Sequence, residues 1–130
     1  MQRGCDAATI GLGSRRRCGI VFDSSTGFRM STNAVRSPDA SWVRQERIDA
    51  ARISHPDDFF PGAPDIAIEI AAPSDQWSHV TAKVTMYVRE GSAYAVAIDP
   101  RRRRIFTPGT APAGFALDSE AIMGAGTHRT

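Results

Sequence analysis

The stretch "PDIAIEIAAPSDQWSHVTAKVTMYVREG", residues 64–91, decides how the rest of the chain is read. Its first part alternates. Ile66, Ile68 and Ile70 fall on one face, and Ala67, Glu69 and Ala71 on the other. Successive side chains of a strand point to opposite faces, so the pattern predicts a strand over 65–71. One face is fully apolar and the other is small with a single acid. That suits a central strand covered on both sides, with a polar pocket on the small face. The second part changes period. Trp77, Val80, Val84, Tyr87 and Val88 form one apolar stripe at helical spacing, which predicts a helix over 75–90. Ser74 is placed to cap it, Asp75 suits its first turn, and Gly91 ends it.

The acid and the lysine of this stretch raise the chemical question. A carboxylate among apolar neighbours is not buried without a partner. Glu69 is therefore either a partnered buried group or an edge acid facing solvent. Lys83 is the only lysine in the chain: Lys and Arg total 16, so 15 are arginine. It lies at the border of the apolar stripe, near Val80 and Tyr87 in direction, with Gln76 one heptad earlier on the same flank. A border lysine can bury its stem and aim its ammonium along the sheet, or simply be solvated. Unlike arginine, it can also lose its proton.

Working outward, "AYAVAID" predicts a second buried strand over 93–99. The unit strand, helix, strand is then βαβ-like. Pro100 and the arginines 101–104 lead into a short strand, "RIFT". Upstream, "GIVFDSSTGFRMST" predicts two short strands around a Ser-Ser-Thr-Gly turn. Pro38-Asp39 opens another strand over 40–44, and residues 45–63 read as a polar loop with room for a short helix, closing on a Pro-Gly turn in "FFPGAP". Residues 1–18 lack a period and are expected to be poorly ordered, residues 19–107 to form one domain, and residues 108–130 to be a loose tail. At 130 residues and 42% hydrophobic content the chain suits one core.

The net charge of +2 permits contact with nucleic acid without demonstrating it. The two cysteines, Cys5 and Cys18, form no CxxC, and no signal-peptide pattern is present. The expectation is a reduced, cytoplasmic protein. No apolar run approaches the roughly 18 residues that a membrane span requires.

Two acids on adjacent strands can hold a hard divalent cation, and Asp39 and Glu69 have that placement. The segments "RSPDASWV", "PDIAIEIAAPSD" and "AKVTMYVREGSAYAVAIDP" together resemble the Uma-type restriction endonucleases, within the PD-(D/E)XK nuclease superfamily. The resemblance covers about residues 19–107. It implies an α/β, restriction-endonuclease-like three-layer core with a small mixed β-sheet flanked by helices. It also implies an endonuclease hydrolysing DNA phosphodiesters with Mg²⁺ or Mn²⁺. Asp39 and Glu69 would be the metal ligands and Lys83 the catalytic cation. In the wider superfamily the lysine lies two residues after the acid, where this chain has Ala71, so Lys83 would act from the helix, with Tyr87 packed beside it. DNA is the implied partner, with room for a homodimer and no membrane.

Residues 1–18 lack the acid-bearing segment usual in the family, which predicts a shortened member. A catalytically inactive nuclease-fold protein that at most binds nucleic acid is the second reading, and a small interaction domain the third. Asp39 read alone can simply start a strand. Asp65, a second Pro-Asp acid, lies about 13 Å from Glu69 at strand rise and is expected to be structural. His79 is expected on the outer flank of the helix, and His55 and His128 have no metal-ligand spacing. Residues 101–104 read equally as a phosphate grip and as a hairpin of exposed charge.

Overall fold

The computed structural model describes residues 18–54 and 59–109. The unit read from residues 64–91 organises it. Strand β6 (Ile66–Ile70) leads through helix α2 (Trp77–Arg89) into strand β7 (Tyr94–Asp99). The two strands pair in parallel, Ile66 beside Tyr94 and Glu69 beside Ala97. Around them lie β1 (Gly19–Asp23), β4 (Ala40–Arg44) and β8 (Arg104–Phe106), completing a five-stranded sheet in the order β1-β4-β6-β7-β8. The β1–β4, β4–β6 and β7–β8 pairs are antiparallel. The sheet is therefore mixed, with its parallel pair joined by the helix, as the βαβ reading predicts.

A second sheet of three short strands has the order β3-β2-β5, with β2 at Phe28–Arg29, β3 at Val35–Arg36 and β5 at Phe60–Pro61. The two short strands expected around the Ser-Ser-Thr-Gly turn are both present. The two strands around the Ser-Ser-Thr-Gly turn do not pair with each other: β1 joins the large sheet and β2 the small one. The turn itself is closed by Asp23, whose Oδ1 accepts from the Ser25 amide at 2.9 Å and from its hydroxyl. Phe28 is fully buried and stacks on Phe60, their ring centroids 5.5 Å apart. That aromatic contact ties residues 32 positions apart and draws β2 toward β5. The short helix for which residues 45–63 had room is α1 (Gln45–Ser54), ten residues long and anchored by the buried Ile48.

The core lies on one face of the large sheet. Val43, Ala67, Ala71, Ala95 and Ala97 meet Val80, Val84 and Tyr87 of α2, and Ile48 of α1 joins the same cluster. The alanines of β6 and β7 explain the close seat of α2, since a small face lets a helix approach. The opposite face carries Ile66, Val96 and Ile98 with Tyr94. The predicted helix cap is corrected. Ser74 stays in the preceding turn, and Gln76, in extended conformation, is the cap residue with no side-chain bond. The turn is held instead by Asp75, whose Oδ2 accepts from the Ala72 amide at 2.7 Å. Gly91 ends the helix at φ 119°, a left-handed value that favours glycine.

Cys18 is disulfide-bonded, against the expectation of reduced thiols. The sequence argument rested on motif spacing, which carries no information about distance in the fold. Cys5, His55, His128, nearly all of the 1–18 segment, and the tail from residue 110 lie outside the described residues. Among the described residues, no helix is long and apolar enough to cross a membrane.

Candidate active site

Glu69 is 6% exposed and points into the face covered by α2, on the same side of β6 as Ala67 and Ala71. Its partner explains its burial. The Tyr87 hydroxyl donates to Oε2 at 3.0 Å. The Lys83 Nζ stands 3.9 Å from the other oxygen, Oε1, on a side chain 46% exposed. Lys83 and Tyr87 are four residues apart, so both project from one flank of the helix. Long helical side chains lean toward the N-terminus, which brings the Tyr87 hydroxyl back to Glu69.

Asp39 arrives from the neighbouring strand. Ala40 pairs with Ile68 in the antiparallel ladder, and the next position of that register sets Asp39 opposite Glu69. Residues directly opposite share a face, with Cβ atoms about 5 Å apart. The Asp39 carboxylate is fixed by the Ile70 amide, which donates to Oδ2 at 2.7 Å. The structure thus brings together Asp39, Glu69 and Lys83, all three residues singled out in the sequence.

The electrostatics follow from this packing. Burial raises the Glu69 carboxyl from 4.5 to about 7. The Lys83 charge and the Tyr87 hydrogen bond pull the other way, while Asp39 adds to the rise. Tyr87 is itself pushed well above the ordinary phenol value, first by burial and then by the Glu69 charge. Two carboxylates facing each other in a half-dry site form a place of unmet negative charge. Glu69 Oε1 faces the Lys83 ammonium, and the Asp39 and Glu69 carboxyls stand close enough to share a hydrogen bond when one of them is protonated. They are the groups that could hold a hard cation. No group of three or more His, Cys, Asp or Glu gathers anywhere among the described residues, so water would have to complete such a coordination shell.

The remaining candidates fall elsewhere. Asp65 sits at the other end of β6, where its Oδ2 accepts from the Arg44 amide at 2.9 Å and from Arg47 Nη1 at 3.3 Å. It is structural, as its distance from Glu69 implies. His79 is exposed on α2. Two features escaped the sequence reading. Tyr87 was expected as packing and instead bonds Glu69; the Lys-x-x-x-Tyr spacing was the available signal. Arg36, on β3, acts electrostatically on the Tyr87 hydroxyl, a proximity across two sheets that no local spacing encodes.

A mixed sheet with a buried acid on its central strand and a helical lysine above it defines a protein of the restriction-endonuclease-like nuclease fold. A solved structure from Anabaena variabilis ATCC 29413, described as a putative nuclease belonging to DUF820, shares the fold with a TM-score of 0.57 and 22% identity. The match covers 74% of this chain and 54% of that one, so the chain spans about half the length of that protein. The chain belongs to the Uma2 family, described as "putative restriction endonuclease", whose family model matches residues 7–110. No curated protein matches the chain.

Proposed function

We propose that this protein is a divalent-metal-dependent endonuclease acting on DNA phosphodiesters, with Asp39 and Glu69 as metal ligands and Lys83 as the catalytic cation. The observation that carries the reading is the juxtaposition at Glu69. A buried carboxylate stands cross-strand from a second one, with an ammonium 3.9 Å from its Oε1. The donor set fits Mg²⁺ or Mn²⁺. It is all oxygen, and Mg²⁺ keeps several waters, so two carboxylates suffice. The raised Glu69 carboxyl fits as well, because a cation between the two acids would relieve both their repulsion and the cost of burying charge.

When bound, the metal would polarise the phosphodiester and lower the pKa of an attacking water. The chain's own residues do the positioning. The Ile70 amide and the Tyr87 hydroxyl each hold one oxygen of their carboxylate, which leaves the other oxygen available to a ligand. Lys83, half-exposed beside Glu69, can orient the water or stabilise negative charge developing on the phosphate oxygens.

The test is nicking of supercoiled plasmid by the purified chain in Mg²⁺ or Mn²⁺, against EDTA and against Glu69→Ala and Asp39→Ala. The expected result is metal-dependent nicking abolished in both variants. A folded protein that leaves several unrelated plasmids intact would sink the reading, and would favour a nuclease fold without catalysis.

A further inference from the structure

The turn between β7 and β8 carries four consecutive arginines, Arg101, Arg102, Arg103 and Arg104. It stands on the same edge of the sheet as the carboxylate pair. Glu69 lies beside Ala97, and Asp99 is two residues further along β7 on the same face. At ordinary strand spacing and rise, that puts Asp99 about 8 Å from Glu69. The turn then carries the arginines beyond the edge of the sheet, where Asp39 also ends its strand.

The turn is anchored at its base. Arg104 Nε donates to Asp99 Oδ2 at 3.1 Å, and its guanidinium lies over the Trp77 ring of α2, 4.7 Å from the centroid. The Arg102 amide donates to Asp99 Oδ1 at 3.3 Å, which closes the turn. Its guanidinium stays 64% exposed, 3.8 Å from the same carboxylate. Arg101 is exposed and makes no hydrogen bond or ion pair with a described residue. Arg103 adopts φ 52°, the left-handed conformation that lets the chain reverse within so few residues. Arg101, Arg102 and Arg104 set three guanidinium charges against the one carboxylate of Asp99.

Turn closure gives no reason for the exposed Arg101. Like charges crowded on one turn repel, and the single acid is spent on turn closure. The neighbouring site supplies a reason. Asp39 and Glu69 repel a phosphate, so a polyanion held above them needs compensating cations at their side, and an anchored arginine turn presents them without loop-ordering cost. Arginine also matches phosphate with a planar, bidentate fork.

We propose that the arginine turn at residues 101–104 is a phosphate-backbone clamp that seats duplex DNA over the Asp39–Glu69 site. The inference rests on the endonuclease reading. Arg104 fixes the turn between Asp99 and Trp77, and Arg101 and Arg102 reach the backbone. With two further residues of chain beyond Asp99, their contacts fall about 15 Å from Glu69. Such contacts carry affinity and register without reading bases.

The test uses the full chain carrying Glu69→Gln, which blocks cutting and removes one repulsive charge. Binding to a fluorescent 30-base-pair duplex is followed by anisotropy from 50 to 200 mM salt. Adding Arg101→Gln and Arg102→Gln should weaken binding about tenfold or more at low salt and flatten the salt slope by about 2. Adding Arg89→Gln, at the far end of α2, should change neither. Circular dichroism confirms that each variant is folded. Equal affinity and slope with and without the two arginines overturns the clamp, and so does a parent that binds no duplex. The plasmid-nicking assay on the wild-type chain judges the endonuclease reading separately: cutting with an unchanged slope removes the clamp and leaves the nuclease.

Discussion

Glu69 should destabilise the metal-free protein at neutral and alkaline pH, and Glu69→Gln should remove that cost. The carboxyl is 6% exposed and titrates at about 7 in the fold, against 4.5 for an ordinary glutamate. A folded-state value raised above the unfolded one means that the native state binds the extra proton between the two. Stability from this group is therefore complete below pH 4.5 and falls as pH rises through about 7. The difference of 2.5 units corresponds to about 3 kcal/mol as a ceiling. Glutamine keeps an acceptor for the Tyr87 hydroxyl and offers an amide toward Asp39, so it fits the same space without charge. It loses the attraction of the half-exposed Lys83, worth under about 1 kcal/mol.

The assay is urea denaturation of wild type and Glu69→Gln in EDTA at pH 4.5 and pH 8.5. Taking the difference between proteins at each pH cancels the other carboxyls. The stability of Glu69→Gln relative to wild type should rise by about 3 kcal/mol from the lower pH to the higher, or roughly 10 °C in melting temperature. Mg²⁺ added at pH 8.5 should recover much of this in the wild type and little in the variant. A relative stability that is flat with pH, or that moves the other way, would refute the claim that Glu69 is buried without adequate counter-charge.

Further outcomes follow from the same contacts. Tyr87→Phe removes the bond to Glu69 Oε2; it should cost about 1–3 kcal/mol at pH 8 in urea denaturation, and the Glu69 titration, followed by carbon NMR, should move upward. Val84→Ala deletes two buried methyl groups where α2 meets the sheet and should cost about 2 kcal/mol by the same measurement, with the fold retained in circular dichroism. Asp65→Ala leaves the Arg44 amide unmet and removes one of two partners of Arg47; a loss of about 1–2 kcal/mol is expected, with plasmid nicking unchanged at temperatures where the variant is folded. Ser41 is buried and its hydroxyl has no partner, so Ser41→Ala should gain about 1 kcal/mol.

Residues 64–91 made most of the site legible. Alternation placed Glu69 among buried alanines, helical spacing placed Lys83 and Tyr87 on one flank, and both readings hold because each rests on a local period. Asp39 came from the family resemblance more than from its own surroundings, since Pro-Asp opens many strands. The helix cap at Ser74, the partners of the strands on either side of residues 24–27 and the extent of the helix within 45–63 lie beyond what neighbours in sequence decide. Asp75 bonding Ala72, Phe28 stacking on Phe60 and Ile48 entering the core decided them through contacts that form only on folding.

The sequence by itself determined the βαβ unit, the faces of its strand and helix, and the presence of an acid and a lysine bound for the same side of the sheet. Periodicity carries that much, because backbone geometry repeats every two or 3.6 residues whatever the surroundings. Only the tertiary structure decided that Asp39 stands opposite Glu69, that Tyr87 supplies the hydrogen bond which lets the acid be buried, and that the arginine turn shares the site's edge. Those are matters of register between strands and of packing across layers. They depend on which distant residues meet, and no local pattern encodes the meeting.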